Sequence, residues 1–364
     1  MGRGGYNSLI RFVNRIRLIK AYEVYKHQSL HYMQSLCIPN KEMPGEKEYK
    51  IKWSVLSNRV DVASYRLYSH YCGCIPEIVP EDIGRIIIEE KLNPSRYRDF
   101  YNDKSLYPVL LGTTKVPQTI LCRINGSVIL DASLTPLRTD VETACCNAKR
   151  VILKPSIDSS SGQGIEMFEY DNGKYINEKR AILTMDYLLN YSKNFVLQEV
   201  IKQHYDLARF NESSLNSIRI ATYRSVKDEK SHVLSAILRM WKSGSCVDNA
   251  HAGGRYVGID VKTGKLGNYT CDQYGNKSPI WNQVDFSNNT FYIPCWNSVV
   301  SLSKEISQKV YHHRLLALDL TVDKDGTPLL IEYNLGGFSY WLFEFTNQKP
   351  LGEFTDEIID YCKL

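Results

Sequence analysis

Two carboxylates and an amide are spaced to act together. Asp319 lies in one apolar run, LLALDLTV, and Glu332 and Asn334 lie in the next, TPLLIEYN. Asp325-Gly326, between the runs, is a hairpin signal that folds them antiparallel. Residues two apart on a strand share a face, so Glu332 and Asn334 point the same way and pairing brings Asp319 alongside. Such hard oxygen ligands suit Mg²⁺ held between protein and phosphates. Asp323-Lys324-Asp325-Gly326 itself reads as a solvent turn: its register does not match a calcium-binding hand, and Pro328 interrupts it.

A second constellation is RVILKPSIDSSSGQGIE, residues 150–166. An apolar strand ends at Lys154, and a loop with Ser160, Ser161, Gly162 and Gly164 follows. Backbone N–H groups and hydroxyls in such a loop approach phosphate oxygens closely, and Lys154 is placed to neutralise one of them. No GxxxxGK[ST] motif is present, Gly162-Gln163-Gly164 lacks the third glycine of a dinucleotide fold, and no protein-kinase catalytic loop is found.

The elements that must position these residues follow from periodicity. Strand-like runs appear from about 107 onward: TILCRI, SVIL, RVILKP, NFVLQEVI, SIRIATYRS, HVLSAILRMW and the two runs above. Helical patterns lie at about 180–192 and 297–313. Before 107 the chain reads as helical: a basic amphipathic segment within 1–36, a loop at 39–50, a helix over 51–74 and another from Glu81 to Leu92 opened by Pro80. The fold class is therefore α+β behind a mostly helical front third. A length of 364 residues allows two or three packed units, and a net charge of +5 is too mild for a dedicated nucleic-acid binder. No run is long and apolar enough to span a membrane, and the start lacks a secretory h-region. Ten cysteines without paired zinc spacing read as reduced thiols.

Lys154 with its Ser/Gly loop, the segment QEVI, and D-x12-E-x-N together resemble the ATP-grasp superfamily over about 100–345. The flanks resemble its sugar-transfer-associated subgroup. The resemblance implies ATP clasped between two α+β subdomains: 96–200 with the phosphate loop, and 201–364 with the metal site and a C-terminal helix, behind a helical region 1–95. It implies two phosphate lysines, Lys104 in Tyr101-Asn102-Asp103-Lys104 and Lys154. It implies adenine binding at Gln198, Glu199 and the Val200–Ile201 backbone, ribose binding at Asp206 or His204, and Mg²⁺ on Asp319, Glu332 and Asn334. The stretch 236–260 resembles the arginine strand and N-x-x-x-G-G segment of glutamate-adding ligases. By that likeness Arg219, Arg239, Asn249 and His251 face the transferred phosphoryl group or an acidic substrate. Some ATP-grasp carboxylases carry an arginine where this chain has Gly336, so a carboxylase is not expected.

The activity these likenesses imply is an ATP-dependent carboxylate–amine ligase acting through an acylphosphate. The implied reaction joins an amino acid or other amine to a uronic-acid carboxyl of a surface-polysaccharide (capsule) precursor. A kinase acting on a sugar hydroxyl and a non-catalytic nucleotide-binding partner of a glycosyltransferase are the competing readings. The expected location is the cytoplasm, with the basic N-terminal helix contacting the inner membrane face or a glycosyltransferase.

Overall fold

A computed structural model describes residues 3–145, 148–157, 164–242 and 253–363. The mixed α+β class holds, with helices ahead of two antiparallel sheets. The first sheet contains β1 (Thr119–Arg123), β2 (Leu130–Asp131), β3 (Arg150–Pro155), β4 (Glu166–Asp171), β5 (Lys174–Asn177) and β6 (Phe195–Glu199), in the order β2-β1-β6-β3-β4-β5. The second contains β7 (Ser217–Arg224), β8 (Ser231–Met240), β9 (Arg255–Ile259), β10 (Thr270–Cys271) and β11 (Lys277–Ser278). A separate ribbon pairs β12 (Ile280–Trp281) with β13 (Val284–Asp285). The strands β14 (Leu315–Val322) and β15 (Pro328–Asn334) complete the second sheet, whose order is β11-β10-β9-β8-β7-β14-β15.

β14 is buried along its whole length because both faces are covered. Leu316, Leu318, Leu320 and Val322 pack with Val299, Leu302 and Ile306 of the Trp296–Lys309 helix. The spacing of those helical residues puts them on one stripe. Leu315 and Ala317 face the other way, into a core with Trp53, Tyr65, Ile83, Tyr340 and Phe345. The front helices thus cover one end of the sheet face that carries Ala317 and, further along β14, Asp319. In the first sheet Val151, Leu153, Phe195 and Leu197 bury one face. The other face carries Lys154 and Gln198, since Lys154 pairs with Val196 and Ile152 with Gln198.

The structure differs from the sequence expectation at several points. The 51–74 helix is two, Glu46–Ser54 and Val62–Cys72, and the first starts inside the expected 39–50 loop. The second begins where Asp61 caps it, accepting from Ala63 N at 2.9 Å and Ser64 N at 3.3 Å. The 81–92 helix contains a π-helical turn, Gly84–Ile88, where Gly84 packs on the Tyr340 ring too closely for a Cβ. The β4–β5 hairpin was not expected, although Asn172-Gly173 is its turn. Both residues have positive φ, 47° and 84°, as a type I′ turn requires. Cys37, Cys72, Cys74, Cys122, Cys271, Cys295 and Cys362 are free thiols, and no helix among the described residues is long and apolar enough to cross a membrane.

The segment over 81–92 buries acids. Asp82 and Glu89 are almost fully enclosed, and burial pushes each carboxyl up to about 7. From about pH 4 to about pH 7 such a group is protonated in the native chain and ionised in the unfolded one. Its contribution to stability is complete below the ordinary carboxylate range and is lost as pH rises towards 7. Asp82→Asn stays neutral, so its unfolding midpoint should gain on wild type as pH rises through that window. A difference that stays flat with pH would contradict the assignment.

Candidate active site

Strand register assembles the acidic side of the site. Asp319 lies directly opposite Glu332 on β15 and Arg219 on β7, and Ala317 lies opposite Asn334. Directly opposed residues share a sheet face, so Asp319, Arg219, Glu332 and Asn334 all project from one side. A bulge follows Asp319, where such irregularities re-aim side chains. Asn93 fixes this end of the sheet: its Oδ1 accepts from Arg314 N and Leu315 N, both at 3.0 Å, and its Nδ2 donates to Leu315 O at 2.5 Å and Leu335 O at 3.2 Å. Glu89 receives the backbone after β15, accepting from Gly337 N at 2.6 Å and Phe338 N at 3.1 Å.

Asp319 is gripped by guanidinium. Arg219 donates to it in bidentate fashion, Nε to Oδ1 at 2.8 Å and Nη2 to Oδ2 at 2.7 Å, and Arg239 Nη1 donates to Oδ2 at 3.4 Å. Asn334 Nδ2 adds a bond to Oδ2 at 3.2 Å and another to Ala317 O at 3.2 Å. Burial alone would raise the Asp319 carboxyl, but Arg219 and then Arg239 outweigh it and hold the group below its usual value. It is therefore an anion at neutral pH. Arg219 and Arg239, expected to face a substrate, are turned onto this carboxylate while also lining a cavity beside it. With both Asn334 Nδ2 bonds made inside the sheet, the amide oxygen is the atom left for a cation. Two carboxylates and an amide oxygen fit a hard divalent ion.

Lys104 joins the two sheets. Its backbone N–H donates to Ser156 O at 3.0 Å, two residues beyond Lys154, and its Nζ lies 3.3 Å from Glu332 Oε2. The 104–106 turn that carries it is capped by Asp103, which accepts from Ser105 N at 2.9 Å. Lys104 thus ties the backbone just beyond Lys154 to Glu332, whose strand pairs with that of Asp319 and also carries Asn334. Beyond β6 the chain is tied to the β14–β15 turn: His204 N donates to Val322 O at 2.8 Å and Lys324 N to Lys202 O at 2.7 Å.

The remaining expected residues fall in three groups. Ser160, Ser161, Gly162, Asn249 and His251 lie outside the described residues. Gly164 is described: it has φ +78° and its carbonyl accepts from Tyr191 Oη at 2.7 Å, anchoring the loop's far end. Along the strand end, Gln198 Nε2 is spent on Pro117 O and Thr119 Oγ1, and the Glu199 and Val200 N–H groups on Gln118 O and Arg150 O. The Ile201 N–H donates to no acceptor among the described residues. Asp206 pairs with Arg209, and His204 Nδ1 accepts from Asp206 N at 3.2 Å as a helix cap.

Sequence reasoning missed Arg98, Glu89 and Asn93. Gly336 lies against the Arg98 guanidinium, where an added Cβ would sit 2.8 Å from its Cζ. A guanidinium therefore reaches Gly336 from a segment over 230 residues upstream. Asn93-Pro94 carried a local signal, since the residue before proline resists helical backbone.

The family described as sugar-transfer-associated ATP-grasp matches residues 85–359. No curated protein sequence matches. Among solved structures, the ATP-grasp ligase PsnB complexed with a phosphomimetic variant of its minimal precursor, Mg and ADP is 14% identical, with 74% of this chain and 61% of that chain covered at a TM-score of 0.40. The present chain thus spans about three fifths of that ligase's length. D-cycloserine synthetase DcsG is 11% identical, with coverage of 75% and 72% and a TM-score of 0.40. An L-amino acid ligase from Bacillus licheniformis is 13% identical, with coverage of 69% and 48% and a TM-score of 0.35.

Proposed function

The chain belongs to the sugar-transfer-associated ATP-grasp family, and on that premise we propose that it is an ATP-dependent carboxylate–amine ligase. The observation that supports this reading is the 3.3 Å ion pair between Lys104 and Glu332; the reading takes the lysine as a phosphate-side cation and the carboxylate as a metal ligand. In this reading Lys104 and Lys154 neutralise the nucleotide phosphates, and Ser160, Ser161, Gly162 and Gly164 close over them. Gln198, Glu199 and the Ile201 N–H border the adenine, and Asp206 with His204 borders the ribose. Asp319, Glu332 and Asn334 hold Mg²⁺, which when bound neutralises developing charge on the transferred phosphoryl. Arg219 and Arg239 fix the Asp319 carboxylate and, with Asn249 and His251, border the acceptor.

The substrate carboxylate attacks the γ-phosphorus and ADP departs. The amine nitrogen then attacks the acyl carbon, expelling phosphate and losing a proton. The acylphosphate survives only if water is excluded, a task this reading gives to the Ser/Gly segment that follows Lys154 in the sequence. The acceptor class we infer is a uronic acid of a surface-polysaccharide precursor, joined to an amino acid in the cytoplasm. The N-terminal helix exposes Val13, Ile16, Ile19 and Val24 beside Arg17 and Lys20 and suits contact with the membrane face or a glycosyltransferase.

Incubation with ATP, Mg²⁺, candidate acids and hydroxylamine tests the reaction. Acid-dependent hydroxamate with ADP is the expected result. A stable phosphorylated product would replace the ligase with a kinase, and binding without turnover would make the chain a non-catalytic partner. Lys154→Met should weaken ATP binding about tenfold or more, as loss of a charge-assisted phosphate contact does. Unchanged nucleotide affinity would remove Lys154 from the site.

A further inference from the structure

The segment that carries Lys104 runs along β15 in the opposite direction. Lys104 Nζ lies 3.3 Å from Glu332 Oε2, Tyr333 Oη donates to Tyr101 O at 2.5 Å, and Arg98 lies against Gly336. Tyr333 and Leu335 both pack into the core shared with the Trp296–Lys309 helix, while Phe338 packs into the opposite one. The alternation of β15 therefore continues past Asn334, and position 336 falls on the side of Glu332 and Asn334. The space that a Gly336 side chain would fill there is taken by the Arg98 guanidinium: a Cβ would sit 2.8 Å from Cζ, 2.8 Å from Nη1 and 3.2 Å from Nε. Gly336 does not have a left-handed backbone, so its conformation does not demand glycine. The guanidinium does.

The fold leaves most of this guanidinium unused. Nη2 donates to Asn93 O at 3.4 Å and lies 4.0 Å from Glu90 Oε2, beyond hydrogen-bond reach, and Nε is buried without a partner among the described residues. One long hydrogen bond among the described residues thus serves five donors. Neighbouring groups do not supply the missing anion. Glu90 Oε1 accepts from Ser95 Oγ at 3.0 Å, and Glu89 is turned onto Gly337 N and Phe338 N. His313 is fully buried, and burial and then Arg98 push its imidazole down to about 4. The Arg98 side chain is 30% exposed, so an ion from solvent can reach it. A permanently charged fork with donors to spare fits an oxyanion.

The polarity of the site selects the oxyanion. Residues 201–206, which border the base and ribose in the ligase reading, are bonded to the β14–β15 turn through Lys202 O and His204 N. That turn lies at one end of β15 and Gly336 just past the other, with Glu332 and Asn334 between them. A nucleotide laid from the turn end towards Asn334 brings its last phosphate to the Gly336 end. We infer that Arg98 is a catalytic residue that grips the terminal phosphoryl group of the nucleotide and stays on it during transfer. The bond from phosphorus to the ADP oxygen breaks as the bond to the acceptor oxygen forms. Arg98 keeps its protons throughout and neutralises charge on the phosphoryl oxygens. The inference rests on the nucleotide site of the ligase reading and adds a residue to it.

Calorimetric titration of the full chain with ADP and with AMP-PNP, a non-hydrolysable ATP analogue, each with Mg²⁺, reads the contact without any acceptor. Arg98→Ala should weaken AMP-PNP about tenfold or more, the scale of a lost charged hydrogen bond, while ADP stays within about twofold. Retained ADP affinity also reports that the variant is folded. Arg98→Lys should fall between, since it keeps the charge and loses the fork. Gly336→Ala should weaken AMP-PNP in the wild-type chain and have no further effect in the Arg98→Ala chain, because its Cβ acts by displacing the guanidinium. An Arg98→Ala variant that binds AMP-PNP as wild type does, or that loses ADP equally, would overturn the inference. So would a Gly336→Ala loss that persists undiminished without Arg98. A wild-type chain that binds both nucleotides and makes hydroxamate, with Arg98→Ala indifferent, keeps the ligase reading and loses this residue. A selective loss of AMP-PNP in a chain that makes no hydroxamate does the reverse.

Discussion

Glu332→Gln is expected to lower Mg²⁺-dependent ATP turnover by about a hundredfold or more, the scale on which perturbing a metal site acts. The substitution keeps the side chain's size and removes its charge. That charge does two things in the cleft. It offers a hard oxygen on the same sheet face as Asp319 and Asn334, and it pairs with Lys104 at 3.3 Å. The fold should lose some stability as well, because Glu332 is about one-third exposed but its partner Lys104 is nearly buried and keeps its charge. Turnover measured across a Mg²⁺ titration, alongside thermal unfolding, checks both halves. A near-wild-type rate at all Mg²⁺ concentrations would remove Glu332 from the site.

Arg219→Ala should act mainly on stability. Arg219 and Asp319 form a bidentate pair inside the sheet, with both side chains largely buried. Deleting one member of such a pair strands the other's charge in a low-dielectric interior, at a cost of about 3–5 kcal/mol. Arg239 at 3.4 Å remains as partial compensation, which places the expected loss at the lower end. The double variant with Asp319→Ala should lose less than the sum of the two single variants, because the stranded carboxylate is then gone. Urea unfolding of the three variants measures this. Additive losses, or an Arg219→Ala loss under about 1 kcal/mol, would show that the pair is not the buried one seen here.

The parts of the site legible in the sequence are those set by local rules. The period of two along β15 puts Glu332 and Asn334 on one face, and Asp325-Gly326, with Gly326 at φ +84°, turns β14 back onto β15. Lys154 at the end of an apolar strand was readable for the same reason. What was not legible depends on distant register. Nothing near Arg219 indicates that it will face Asp319, 100 residues away. Asn93 reaches Leu315 and Leu335 across 222 and 242 residues, and Glu89 reaches Gly337 across 248. Arg219 and Arg239 were expected to meet a substrate; the fold first uses them to keep a buried carboxylate ionised. The β4–β5 hairpin is a different case, because its Asn172-Gly173 turn is itself a local signal in the sequence. The break between Ser54 and Val62 was likewise written in Asp61, a strong cap in mid-pattern.

In the ligase we propose, one cleft holds the nucleotide phosphates between Lys104 and Lys154 on one side and a divalent ion on the other. Anomalous diffraction from crystals grown with Mn²⁺ and a non-hydrolysable ATP analogue tests it most directly. A manganese peak is expected within ligand distance of Asp319, Glu332 and Asn334, with the analogue's phosphates between that ion and the two lysines. A manganese peak elsewhere, with phosphates that touch neither lysine, would contradict it.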